Sequence, residues 1–191
     1  MDLYGSTTSP FVRRIRLWLE PKKYNFKTLD IFNSAQRDSF KAMSPILKIP
    51  VLKDDHQIIY DSRVIFRYLS SKNGKNTWTW DQENLLTILD DWAQSLVTLL
   101  LCRRSQIPVL ANGPFGVSHL DRIKNSLDFL ETQVQRGNFD RWDFLTMSLY
   151  SYADWILFRD ITPIAADSPI IKVLNRFKDE ALVRETDPRN T

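Results

Sequence analysis

Two hydroxyl-bearing segments stand where helices are expected to begin, and both could handle an anion. In Gly5-Ser-Thr-Thr-Ser-Pro10 four hydroxyls precede a proline, and from there Phe11, Val12, Ile15, Trp18 and Leu19 recur on one helical face. Ser9 is then the N-cap and Pro10 the first helical residue. Asp61-Ser62 likewise precedes a helix carrying Val64, Ile65, Tyr68 and Leu69, with Ser62 as the expected N-cap. Helix N-termini favour negative charge through main-chain N–H groups and the helix dipole, and a hydroxyl there adds a donor. Other chemistries have little to work with. Cys102 is alone, so there is no disulfide framework and no CxxC pair. His56 and His119 lie far apart without ligand spacing, so no metal is expected.

The elements that would carry these segments change character along the chain. Leu3-Tyr4 begins a strand, a helix follows Ser9-Pro10 and Pro21 ends it, Phe26–Ile31 reads as a strand and Arg37–Met43 as a short helix. Ile49–Lys53 and Ile58–Tyr60 read as a hairpin around a four-residue loop, and the Asp61-Ser62 helix completes the order β-α-β-α-β-β-α. Ser71–Thr79 has linker composition. Beyond it Asn84–Leu101 is a long helix with a broad apolar face, and further helices are expected after Ser118 (with Asp121 as a capping-box partner), after Ser151 and after Ser168-Pro169. The fold class is therefore α/β followed by all-α, with residues 1–72 as the first domain and residues 80–191 as the second.

Length and charge bound the function. With 191 residues, 43% of them hydrophobic and 26% charged, the chain can bury a full core. The net charge is +3, and the basic clusters Arg13/Arg14/Arg16, Lys22/Lys23 and Arg103/Arg104 alternate with apolar residues as solvated helix faces do, so no nucleic-acid partner is expected. Met1-Asp-Leu-Tyr has no secretory pattern, and the apolar run at Leu96–Cys102 is short of a span of about 20 residues, so a cytoplasmic protein with no membrane partner is expected.

The element order, with a proline entering the third strand, resembles a thioredoxin-like domain, and the sequence resembles the glutathione S-transferase superfamily. The resemblance rests on Leu3-Tyr-Gly-Ser…Ser9-Pro-Phe-Val-Arg-Arg-Ile-Arg, on Ser44-Pro-Ile-Leu-Lys-Ile-Pro-Val-Leu, on Asp61-Ser-Arg-Val-Ile-Phe-Arg-Tyr-Leu and on Ser151-Tyr-Ala-Asp-Trp, in the right order over nearly the whole chain. The tail Arg184-Glu-Thr-Asp-Pro-Arg is similar to that of a small bacterial, YibF-like subgroup. The resemblance implies a serine-type member: an N-terminal thioredoxin-like domain binding glutathione, and a helical-bundle domain receiving a hydrophobic electrophile. It implies Ser9 as the catalytic hydroxyl, with Ser6 as the second choice in the same loop and plain capping as the alternative role of Ser9. Ile49, before a cis Pro50, would pair through its main chain with the cysteinyl part of glutathione, and Lys48 would meet the glycyl carboxylate. Ser62 would hold the γ-glutamyl α-carboxylate and Asp61 the ammonium, although the family usually has glutamate at that position. Leu47 stands where the family motif has glycine, so a different loop geometry is expected. Ser151 and Asp154 would form the family's helix-capping box.

The activity so implied is conjugation of the glutathione thiolate to an electrophile by a homodimeric detoxification enzyme. Glutathione-dependent isomerase or dehalogenase chemistry would use the same site. A binding or regulatory protein without turnover is the reading from a different class. Disulfide reduction is disfavoured because no cysteine occupies the position of Ser9.

Overall fold

The computed structural model describes residues 1–19, 23–72, 74 and 78–190. Pro21, Lys22 and much of the Ser71–Thr79 segment lie outside the described residues. By its contacts the chain divides into two units, one formed by Met1–Thr77 with Asp179–Thr191 and one by Trp78–Lys178.

The first unit is built on a four-stranded sheet of order β2-β1-β3-β4, from β1 (Asp2–Gly5), β2 (Asn25–Thr28), β3 (Val51–Asp54) and β4 (Gln57–Tyr60). β1 runs parallel to β2 and antiparallel to β3, and β3 and β4 form an antiparallel hairpin. Order and directions are those of a thioredoxin-like sheet. The hairpin is tighter than its sequence suggests: Asp54 pairs with Gln57, so only Asp55 and His56 turn the chain, Asp55 at a φ of 51°. Asp54 is thereby buried at the strand end, where it accepts hydrogen bonds from Lys72 (2.5 Å) and Tyr68 (2.7 Å). These bonds, that of Lys72 first, hold its carboxyl below the ordinary carboxylate range.

Helices α1 (Pro10–Trp18) and α2 (Ser34–Met43) connect β1 to β2 and β2 to β3, α3 (Ser62–Lys72) follows β4, and α1 packs against α3. Ser9 caps α1 and Pro10 opens it, as expected, and the helix stops at Trp18, before Pro21. α1 lies close to β1 because Gly5 has no side chain: a Cβ there would stand 2.4 Å from Val12 Cγ2. The core between sheet and helices holds Leu3, Val12, Ile15, Val51, Leu52, Ile65 and Phe66, each at most 1% exposed.

Arg13 and Arg14 depart from expectation. They are 3% and 1% exposed, where the sequence suggested a solvated face. Leu17, also buried, falls between them on the helical wheel, so both sides of α1 are covered. Arg13 donates to Thr186 Oγ1 (3.3 Å) and to the Val183 carbonyl (3.1 Å), in the segment of α8 (Ala181–Glu185) and the closing 3-10 turn Pro188–Asn190.

The second unit is helical, from α4 (Trp80–Arg104), α5 (Pro114–Gln135), α6 (Phe144–Arg159) and α7 (Pro169–Phe177). α4 starts four residues earlier than expected, at a capping box of Thr79 and Gln82. It is long and apolar enough by composition to cross a membrane, but packs Leu85, Leu89, Trp92 and Leu96 inward against α5 and α6.

Two helix starts differ from the sequence reading. α5 begins at Pro114 with Gly113 as N-cap, not at Ser118, which lies inside the helix and accepts from Arg122 (3.3 Å). Gly116 fits in its first turn because a Cβ there would stand 1.9 Å from the Leu110 carbonyl oxygen. α6 begins at Phe144, capped by Asp143 Oδ1 accepting from the Thr146 N–H (3.0 Å). Ser151 and Asp154 are therefore in the middle of α6 and form no cap. α7 begins at Ser168-Pro169 as expected.

Candidate functional site

The β1–α1 loop places its hydroxyls at the start of α1, each residue half-buried. Ser9 Oγ accepts from the Val12 N–H at 3.4 Å, and the Ser9 carbonyl accepts from the Arg13 N–H at 2.9 Å. No acceptor for the Ser9 hydroxyl hydrogen is found among the described residues. Ser6 is differently engaged: its Oγ lies 3.1 Å from Thr8 Oγ1 and accepts the Thr8 N–H at 3.3 Å. The bond between the Ser6 and Thr8 hydroxyls uses one of their two hydrogens, so one of that pair, like Ser9, keeps a hydrogen to give; Ser9 is the one whose oxygen also caps α1.

The segment entering β3 carries the second group of expected residues. Leu47 adopts a φ of 51°, the left-handed conformation that favours glycine, and its N–H donates to the Ser44 carbonyl at 3.2 Å. Tyr60, in β4, donates from its hydroxyl to the Met43 carbonyl at 3.0 Å and ties down the start of this segment. Lys48 is exposed, Ile49 half-buried and Pro50 buried. The Ile49–Pro50 peptide is cis. Neither the N–H nor the carbonyl of Ile49 has a hydrogen-bond partner among the described residues, so both main-chain groups remain available to an extended peptide.

At the start of α3 the cap is Asp61 and not Ser62 as expected, because Ser62 is the first helical residue and its hydroxyl oxygen is taken by Arg14. Asp61 is exposed at a φ of 68°; its Oδ1 accepts the Arg63 N–H (2.7 Å) and its carbonyl the Ile65 N–H (2.9 Å). Ser62 is only 1% exposed, and its Oγ accepts two hydrogen bonds from Arg14, from Nε at 3.0 Å and Nη2 at 2.6 Å. Arg14 is the residue that sequence reasoning missed. The signal was present in Leu17, an apolar side chain on the supposedly solvated side of α1.

The helical unit has a pocket of its own, of about 320 Å³, lined by Leu99, Leu100, Ile107, Val109, Leu120 and Ile161, with Arg103 as its one charged residue. Arg103 donates to the Asp160 and Arg159 carbonyls (2.7 and 2.8 Å), at the end of α6.

Comparison with known proteins decides the family. Residues 3–77 match the family described as glutathione S-transferase, N-terminal domain. Glutathione S-transferase F13 of Arabidopsis thaliana is 34% identical over 164 residues, covering 78% of this chain and 75% of that protein. The chain belongs to the glutathione S-transferase family. The uncharacterized GST-like protein YibF of Escherichia coli is 24% identical over 99% of this chain and 100% of its own length. Among solved structures, a glutathione S-transferase of Methylobacillus flagellatus with glutathione bound superposes with a TM-score of 0.79 at 15% identity, covering 97% of this chain and 98% of that one. For this member of the glutathione S-transferase family, the β1–α1 loop, the Lys48–Pro50 segment and the start of α3 are the three parts of the first unit that its sequence marks for ligand binding.

Proposed function

We propose that the protein binds glutathione in its first unit and transfers the glutathione thiolate to a hydrophobic electrophile, with Ser9 as the catalytic hydroxyl. The observation that carries this reading is the state of the Ser9 hydroxyl. Its oxygen accepts from the first turn of α1 while its hydrogen has no acceptor among the described residues. The other residues fit the peptide: Ile49 offers main-chain N–H and carbonyl groups without a partner among the described residues to the cysteinyl portion, exposed Lys48 a cation to the glycyl carboxylate, and Ser62 a donor to the γ-glutamyl α-carboxylate. The exposed Asp61 carboxylate supplies the counter-charge for the ammonium.

The magnitudes suffice. A free thiol with a pKa of about 8.5 is only a few per cent thiolate at pH 7. Lowering that pKa by about 2 units requires about 2.7 kcal/mol of preference for the anion. A charge-assisted hydrogen bond contributes about 1.5–3 kcal/mol and a helix N-terminus about 0.3–1 kcal/mol. The thiol proton is released to solvent, the sulfur lone pair forms the bond to the electrophilic carbon, and the leaving group departs with the electrons of the bond that breaks. A cytoplasmic homodimer acting in detoxification accords with this reading, as does the apolar pocket of the second unit as a place for the electrophile.

The test is glutathione binding by calorimetry together with conjugation to a panel of aryl and alkyl electrophiles. Ser9→Ala is expected to lower turnover about 10- to 100-fold and to raise the pH at which the bound thiol ionises, with Ser6→Ala close to wild type. Full activity in Ser9→Ala overturns the assignment of Ser9. No glutathione binding at millimolar concentration overturns the function, and binding without turnover favours a regulatory protein.

A further inference from the structure

Arg14 is buried on α1 and aims two of its donors at a single atom. Nε and Nη2 both reach Ser62 Oγ, at 3.0 and 2.6 Å, and neither residue is more than 1% exposed. A guanidinium fork commonly spans two acceptor atoms; here it converges on one. A hydroxyl oxygen has two lone pairs and one hydrogen. Two donations fill both lone pairs, so Ser62 can act only as a donor, and its hydrogen has no acceptor among the described residues. Asp61 has already taken over the capping of α3 through the Arg63 and Ile65 N–H groups, so nothing in the helix competes for the Ser62 oxygen.

We infer that Arg14 is a positioning residue: by occupying the acceptor side of Ser62 Oγ, it fixes the Ser62 hydroxyl as a donor to the γ-glutamyl α-carboxylate and makes that carboxylate a requirement for binding. The inference rests on the proposed glutathione site and adds to it a source of selectivity. Without Arg14 the hydroxyl is free to rotate and to accept, and a peptide lacking the carboxylate loses less relative to glutathione.

The test compares two peptides by calorimetry, glutathione and γ-aminobutyryl-cysteinylglycine, which lacks only the α-carboxylate. Wild type, Arg14→Met, Ser62→Ala and the double variant are titrated with each. Wild type is expected to prefer glutathione by about tenfold or more, the worth of a hydrogen bond to a charged group. Each single variant should lose most of that preference, and the double variant should lose no more than Ser62→Ala, because the two residues act through one hydrogen bond. The pH at which bound thiol ionises, read by thiolate absorbance at saturating glutathione, should stay at the wild-type value in Arg14→Met. General loosening of the unit would move it.

An Arg14→Met protein with the wild-type preference overturns the inference, as do single losses that multiply in the double variant, or a moved thiol midpoint. Wild type binding both peptides equally overturns it while leaving the glutathione site standing. Wild type binding neither removes the proposed function and this inference with it. If Arg14→Met does not fold, Arg14→Lys decides: a single ammonium replaces the fork, so an intermediate preference supports the inference and an unchanged one overturns it.

Discussion

Leu47 carries a strained backbone next to the candidate site. A φ of 51° costs an ordinary L-residue about 1–2 kcal/mol relative to glycine, and the residue is followed directly by Lys48, Ile49 and Pro50. The sequence shows a bulky residue at this point and suggests another loop geometry. The leucine instead takes the left-handed conformation, held by its N–H bond to Ser44 and by the Tyr60 hydroxyl on the Met43 carbonyl. Strain of this kind persists only where neighbours over-determine the backbone. A comparison that cancels the lost side-chain packing isolates it. Leu47→Gly and Leu47→Ala both remove the half-buried side chain, but alanine keeps the penalty of positive φ. Leu47→Gly should therefore be the more stable of the two by about 1 kcal/mol, seen as a higher midpoint in urea denaturation. Equal midpoints would mean that Leu47 does not hold this conformation in solution.

At the scale of elements, sequence patterning found the strands, the order of the first unit and the helices that open with Ser-Pro. It failed where a tertiary contact replaced a local signal. Ser151-Tyr-Ala-Asp154 has the composition of a capping box, yet the cap of α6 lies eight residues earlier, at Asp143, and Phe144–Tyr150 are all buried. Local motifs carry no information about burial, and a helix buried on every side has no apolar stripe to fix its start. The same blindness hid Arg13 and Arg14, whose charge reads as solvated until the acceptors that bury them are known. The Ser9 cap and the proline entering β3 were legible because both are local signals, and the start of α3 was legible to within one residue, the cap being Asp61 and not Ser62; the Arg14–Ser62 contact joins residues 48 apart in sequence and was not. The α6 assignment has a direct consequence. Asp143→Ala removes a cap and should cost about 1 kcal/mol, lowering Tm by roughly 2–4 °C. Ser151→Ala should be neutral or stabilising, since the Ser151 hydroxyl is buried without a hydrogen-bond partner among the described residues. The opposite ranking in thermal melts would restore the Ser151 cap.

For the whole molecule, the consequential feature is the return of the chain after the helical unit to the first unit, where α8 packs beside α1. Arg13 is the clasp. Its guanidinium, 3% exposed, donates to Thr186 Oγ1 and the Val183 carbonyl, and Thr186 in turn donates to the Leu182 carbonyl at 2.6 Å. Asp187 follows. Burial works to raise its carboxyl, but the hydrogen bonds from Arg189 and the charges of Arg189 and Arg13 outweigh it, leaving a pKa below the ordinary value. A carboxyl whose folded pKa is depressed contributes stability above its unfolded pKa of about 3.9, and that contribution is lost as pH falls through the folded value. Deleting residues 179–191 takes two acceptors from a buried guanidinium and should cost about 1–3 kcal/mol. Arg13 lies one helical turn from Ser9, whose carbonyl accepts the Arg13 N–H, so the loss should reach the β1–α1 loop. Hydrogen exchange is the measurement that separates this from general destabilisation. In the truncated protein, amides of α1 and the β1–α1 loop should exchange faster, while those of α4 and α6 keep their protection; acceleration confined to the helical unit would show that the tail is not the clasp of α1.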